Sequence, residues 1–264
     1  DALLKIANHH HKQINPMTIA ITGSNGKTTV KEMIGRILDE EKTVITNKNE
    51  NNEFGIPYTI LRCTPNTETL ILECGARHDG DFKKITESFT FDQLIITNIN
   101  NSHVGIFGSV DSIIRTKLEL IGAVKESGIV IEAAFKDLSV NRDLNTDSLS
   151  INQYIVNDSD ELDLQRTWPY LVESDSEQDG KYSISLGVDT NELKIIHETA
   201  IEHNCINAII TSLALEQFGN DVSESMKHLS GFTNPLKNRF HIHKVANYLV
   251  IDDTYNANPA SMQS

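Results

Sequence analysis

The run Gly23-Ser24-Asn25-Gly26-Lys27-Thr28-Thr29 constrains this chain more than any other feature, because of what stands on either side of it. The apolar stretch Met17–Ile21 precedes it and reads as a short buried strand. After it, Val30, Met33, Ile34, Ile37 and Leu38 fall at the i, i+3, i+4, i+7, i+8 spacing of an amphipathic helix. A strand, a glycine-bracketed turn and a helix in that order make a phosphate cradle. The glycines let backbone N–H groups point at anionic oxygens, and the helix N-terminus adds the positive end of its dipole. In such a loop Lys27 reaches the β- and γ-phosphates and the Thr28 hydroxyl binds Mg²⁺. The strict G-x-x-x-x-G-K-[ST] pattern would put its first glycine at Ile21; Gly23 takes that part instead, so the loop is a variant.

Further short apolar runs, Leu70–Leu72, Leu94–Ile96, Ile129–Ile131 and Tyr248–Ile251, alternate with helical patterns such as the stripe Ile206, Ile209, Ile210, Leu213, Ala214. That alternation predicts an α/β fold: a P-loop-containing, mostly parallel sheet with helices on both faces. Polar residues follow several runs: Glu73 after Leu70–Leu72, Thr97-Asn98 and then His103 after Leu94–Ile96, and Asp252-Asp253 after Tyr248–Ile251. Ligands of parallel sheets lie beyond the carboxyl ends of the strands, so these ends are expected to converge on one crevice. From Phe135 to Thr199 the alternation weakens, and the strand-like runs Ser150–Val156, Tyr182–Leu186 and Leu193–Ile196 predict a small antiparallel extension.

Composition excludes some functions. A formal net charge of −14 argues against nucleic acid as a partner, and no run approaches the length of a membrane helix. The N-terminus has no signal-peptide layout, which makes a cytoplasmic protein the expectation. An anionic ligand must then be held by local devices: amides, lysines and metal ions. The acidic stretch from Asp158 to Asp179 reads as a solvated surface. Cys63, Cys74 and Cys205 lie far apart and form neither a disulfide framework nor a zinc site. His9-His10-His11, on a polar helical stretch, reads as exposed histidines.

Three residues can bear on the cradle chemically. Glu73 at a strand tip would repel a nucleotide unless a cation lay between them, and Mg²⁺ held by Thr28 and Glu73 resolves the conflict. In the helix beginning near Asp111, Lys117 falls on the inward face with Ile113, Ile114, Ile121 and Val124. It either snorkels outward or is desolvated, and a desolvated neutral amine could take up CO₂ as a carbamate, an oxygen ligand for Mg²⁺. His103 could share the same ion or be structural.

Together these segments resemble the central, ATP-binding domain of the Mur ligases. The match runs through Ile21–Met33, Asn49-Glu50-Asn51-Asn52-Glu53-Phe54-Gly55-Ile56-Pro57, Leu72-Glu73-Cys74-Gly75-Ala76-Arg77, and Thr97 to His103. It continues in Lys117-Leu118-Glu119, His203–Ala208 and Asp252-Asp253-Thr254-Tyr255-Asn256-Ala257-Asn258-Pro259. The last motif resembles the type that joins D-alanyl-D-alanine to UDP-N-acetylmuramoyl-tripeptide through an acyl phosphate in peptidoglycan synthesis. The resemblance implies ATP and two Mg²⁺ ions, and it assigns roles. Gly23, Ser24, Asn25, Gly26, Lys27, Thr28 and Thr29 would wrap the phosphates. Thr28 and Glu73 would hold one Mg²⁺; His103 and a carbamylated Lys117 would hold the other. Asn204 and Asn207 would face the adenine, Arg239 and Asp253 would approach ribose and phosphates, and Asn51 and Asn52 would touch substrate. Lys27, Glu73, His103 and Lys117 form the catalytic set that this implies.

The chain departs from the family pattern at Asn100, where a glycine is usual, and at Ile131-Glu132-Ala133-Ala134, which carries no role here. Residues 1–264 read as a single central domain, with the family's UDP-binding N-terminal domain and its C-terminal domain absent. Alone it is expected to be a monomer that binds Mg-ATP weakly and makes no peptide bond. The other readings are a related ligase of the folylpolyglutamate kind and a non-catalytic nucleotide-binding module.

Overall fold

The computed structural model describes residues 2–99, 104–133, 152–157, 167–174, 181–188, 191–199, 203–233, 235–236, 238–239 and 241–255. His103, Asn100 and Asn256–Pro259 lie outside the described residues, as does most of the acidic stretch around Thr167–Ser174.

The strands that carry the cradle form in chain order as β1 (Met17–Thr22), β2 (Thr43–Ile45), β3 (Thr69–Glu73), β4 (Phe91–Ile96) and β5 (Val124–Ala133). Then come β6 (Asn152–Asn157), β7 (Thr167–Ser174), β8 (Lys181–Val188) and β9 (Asn191–Glu198). Among the described residues they make one nine-stranded sheet in the order β2-β3-β1-β4-β5-β6-β7-β8-β9. Pairing is parallel from β2 to β7 and antiparallel for β7-β8-β9.

The β-strand period sorts side chains between two cores. Ile19, Ile21, Ile71 and Ile95 face helices α2 (Lys27–Ile37), α7 (His203–Glu216) and α8 (Val222–Leu229), whose Val30, Met33, Ile209, Leu213 and Met226 complete that layer. Ala20, Leu70, Leu72, Leu94 and Ile96 face the other side. There they meet α1 (Ala2–Ile14), α3 (Gly55–Ile60), α4 (Lys83–Ser88) and α6 (Val110–Leu118); the short α5 (Val104–Phe107) leads into α6. Residues buried on both faces explain why β1, β3 and β4 read as continuous apolar runs rather than alternating ones. Helix α2 follows β1 on one face and α6 follows β4 on the other, although β1 and β4 are neighbours. A crevice opens between such strands at their carboxyl ends.

Three expectations need correction. Tyr248–Ile251 is not in the main sheet: β10 (His241–Val245) and β11 (Tyr248–Asp252) pair antiparallel as a separate hairpin. The antiparallel extension starts later than expected, because Asn152–Val156, the described part of the run Ser150–Val156, lies in β6, parallel to β5, and β7 is parallel to β6. His9 is exposed as expected, but His11 is buried, its Nε2 2.8 Å from the Thr18 hydroxyl, and His10 Nε2 lies 2.8 Å from the Cys63 carbonyl, so helix α1 docks through these two histidines. Cys63, Cys74 and Cys205 are buried as thiols, outside any disulfide. Among the described residues no helix is long and apolar enough to cross a membrane.

Candidate active site

Two glycines shape the cradle. Gly23 sits at φ 144°, and a Cβ there would come within 2.0 Å of the Thr97 hydroxyl. Gly26, at φ 81°, begins α2 where a Cβ would come within 2.8 Å of Asn207 Oδ1. Both are left-handed backbone positions with no room for a side chain. The loop is fixed from the end of β4: Ser24 N donates to Asn98 O (2.8 Å), Asn25 N donates to Asn98 Oδ1 (2.9 Å), and Asn98 Nδ2 returns a bond to Asn25 O (3.0 Å).

With the loop so held, the start of α2 carries no side-chain cap, and Val30 N is the donor to Gly26 O at 2.9 Å. The N–H groups of Lys27, Thr28 and Thr29 therefore have no partner within the helix, as at any helix start, and they stand at the dipole's positive end. These orphan donors are what an anion needs.

Two ammonium groups converge on the same loop. Lys27 Nζ donates to Gly23 O (2.7 Å) and Ser24 O (3.1 Å), and Lys117 Nζ, from α6, donates to Gly23 O (3.0 Å). Lys117 is 5% exposed, so it does not snorkel. Burial, and secondarily the Lys27 charge, push its pKa down to about 7. Burial also lowers the pKa of Lys27; the Glu73 carboxylate opposes that shift and the Arg239 guanidinium adds to it. The stripe expected with Lys117 is only partly helical, for Ile121 lies in a 3-10 turn and Val124 begins β5.

Glu73 ends β3 beside Ile21 and is buried. Its Oε2 accepts from the Thr28 hydroxyl at 2.9 Å, and its Oε1 accepts from Asn51 Nδ2 at 3.0 Å. Residues 45 positions apart are thus joined at the mouth of the cradle. The neighbouring Asn52 shapes the backbone instead, for its Oδ1 accepts from Phe54 N (3.1 Å) and Gly55 N (3.0 Å) and turns the chain into α3. On the far side of the loop, Asn207 abuts Gly26 and its Nδ2 donates to Asn204 Oδ1 at 3.4 Å. Arg239 stacks its guanidinium over the Tyr255 ring, 3.9 Å from the centroid, and the Tyr255 hydroxyl bonds to Asn49 Oδ1. Asp253 is exposed just past β11. The structure therefore gathers Gly23–Thr29, Glu73, Lys117, Asn51 and Asn207 closely, with Arg239 near enough to act on Lys27.

A family model described as the Mur ligase middle domain matches residues 21–215. The chain belongs to this family. The UDP-N-acetylmuramoyl-tripeptide–D-alanyl-D-alanine ligase of Bacillus subtilis is 31% identical over 264 residues, covering 100% of this chain and 55% of that protein. A crystal structure of MurF from Acinetobacter baumannii superimposes with a TM-score of 0.82 at 27% identity, covering 99% of this chain and 56% of that one. MurF from Thermotoga maritima, in complex with ADP, shares the fold with a TM-score of 0.79 at 23% identity, covering 100% of this chain and 59% of that one. This Mur ligase chain thus spans a little over half the length of the relatives it matches.

Two residues of this Mur domain went unassigned in the sequence. Lys31 is fully buried and Thr46 binds the backbone of Glu73. Lys31 lies three residues before Ile34 of the α2 stripe, the same cue that singles out Lys117. Thr46, in a loop after a three-residue strand, gives no such cue.

Proposed function

We propose that this chain is the Mg-ATP-holding core of a ligase that joins D-alanyl-D-alanine to UDP-N-acetylmuramoyl-tripeptide in peptidoglycan precursor synthesis. The observation that carries the reading is the Thr28–Glu73 bond of 2.9 Å, which sets a hydroxyl and a carboxylate side by side at the mouth of a phosphate cradle. The donor set fits Mg²⁺, an ion that takes one or two protein oxygens and fills its sphere with phosphate oxygens and water. When bound, the ion would neutralise charge on the transferring phosphoryl group. The orphan amides of Lys27, Thr28 and Thr29 and the Lys27 ammonium would bind the phosphates. The remaining loop residues Gly23, Ser24, Asn25 and Gly26 shape that cradle.

In the proposed reaction a tripeptide carboxylate oxygen attacks the γ-phosphorus of ATP and ADP leaves. The amine of D-alanyl-D-alanine then attacks the acyl carbon, loses a proton and expels phosphate. The positive groups let two anions approach each other.

Lys117 has a part of its own here. A neutral amine and CO₂ give a carbamate and a proton, and the depressed pKa supplies the neutral amine near pH 7. With His103 it would hold a second Mg²⁺. Asn204 and Asn207 would meet the adenine, Arg239 and Asp253 the ribose and phosphates, and Asn51 and Asn52 the substrate side.

We assign residues 1–264 to the middle domain, which on this reading works in the cytoplasm as a monomer. The exposed Ile242, Val245, Tyr248, Leu249 and Ile251 of the hairpin support a covering partner unit.

Calorimetric titration of the chain with ADP and Mg²⁺ tests the core of this reading. Binding is expected, with no ADP released from ATP when both substrates are added. An absence of binding, or turnover dependent on both substrates, contradicts it.

A further inference from the structure

We propose that Lys31 and Asn51 are positioning residues that hold Glu73 in the orientation a divalent cation requires. This rests on Glu73 and Thr28 being that cation's protein ligands.

Lys31 is 0% exposed in the middle of α2, four residues after Lys27 on the same rigid helix. Its ammonium finds three oxygens: Thr46 O at 2.7 Å, Glu32 Oε1 at 3.0 Å and Glu73 Oε2 at 3.9 Å. A fully buried charge is costly, and a buried ion network replaced by apolar groups often leaves a protein equally stable. Stability alone does not explain a lysine here.

The geometry does. Thr46 accepts from Lys31 through its carbonyl, while its hydroxyl accepts from Glu73 N at 3.0 Å. Its own N–H donates to Ile71 O at 3.0 Å, so Thr46 is sewn to the end of β3. Lys31 therefore ties the cradle helix to the strand that carries the carboxylate. Asn51 works from the other side: Nδ2 donates to Glu73 Oε1 at 3.0 Å, and its carbonyl accepts from Gly75 N at 2.7 Å.

The last torsion of a glutamate is broad and nearly two-fold, so a free carboxylate would sample many orientations. Here its oxygens are told apart. Oε1 faces the Asn51 amide, while Oε2 faces the Thr28 hydroxyl with Lys31 behind it. A cation sharing Thr28 and Glu73 would meet an oxygen already turned toward it, with the ordering cost met during folding.

The test titrates ADP into the 264-residue chain at increasing Mg²⁺ and again in EDTA. Lys31→Met keeps the aliphatic stem; Asn51→Ala removes the amide at a partly exposed site. We expect Lys31→Met to raise the Mg²⁺ concentration for half-maximal enhancement about tenfold and Asn51→Ala about threefold. Affinity in EDTA should stay within about twofold, a split that a merely structural role would not produce. Wild-type Mg²⁺ dependence in both variants overturns the inference, and so does an equal loss with and without Mg²⁺. Should Lys31→Met fail to give a cooperative melt, the Asn51→Ala result decides alone. Glu73→Gln separates the two levels: if it leaves the Mg²⁺ response intact, Glu73 is no ligand and the inference falls with that reading.

Discussion

The cradle and the β10–β11 hairpin both carry family motifs, yet they are built in opposite ways. At the cradle, the ends of β1, β3 and β4 are buried, and neighbouring elements answer several of the polar side chains and loop amides there: Thr28 by Glu73, Ser24 and Asn25 by Asn98, Glu73 by Asn51. In the hairpin, Tyr248 and Leu249 are each 74% exposed, and the strands bond chiefly to each other. Two strands alone bury too little to order themselves firmly. The contrast teaches that the geometry of the cradle is fixed by contacts within this chain, whereas the hairpin that leads into Asp252–Tyr255 is an exposed surface held mainly by its own pairing.

Substitutions can break that contrast, and the largest effect belongs to the sheet. Ile71→Ala, beneath the cradle, should cost about 3 kcal/mol in denaturant unfolding. A cost below about 1 kcal/mol would mean that the strand ends are looser than their burial implies. Next, Lys27→Ala should weaken ADP binding in calorimetry by about 2 kcal/mol, the scale of a charged hydrogen bond, while leaving the melt unchanged. Unaltered affinity would remove the cradle from the nucleotide.

Lys117 gives a smaller effect with a definite sign. Its folded pKa, about 7, lies below the unfolded value near 10.4, so the unfolded chain holds more protons between those limits. The penalty for a buried ammonium is full below pH 7 and fades as pH rises toward 10. In CO₂-free buffer, wild type should gain stability over Lys117→Met by about 1 kcal/mol per pH unit from about pH 7.5 to 9.5. A flat difference would mean that the ammonium is not desolvated. The smallest effect is expected at the hairpin, where Leu249→Ser should shift stability by less than about 0.5 kcal/mol. A larger cost would show that the hairpin packs on the body of this chain.

The same contrast decides what the sequence could reveal. Gly23–Thr29, Glu73 and Lys117 were legible because each sits at a fixed offset from an apolar strand or stripe, and burial enforces that spacing. The run Tyr248–Ile251 reads the same in a central strand or an exposed hairpin, since periodicity over four residues does not name the partner strand. The run Ser150–Val156 misled likewise, because pairing direction depends on the connection and not on the strand itself. His11 looked solvated among polar neighbours, yet its partner Thr18 hides it. Thr46 could not be found at all, for its role comes from the strand it meets.

One detail of the cradle bears on how tightly any nucleotide can be held. Gly23 O receives both Lys27 and Lys117, and Ser24 O receives Lys27 again. An arriving phosphate would have to win these ammonium groups from the loop's own carbonyls, so net affinity is a difference between two sets of bonds rather than the sum of one.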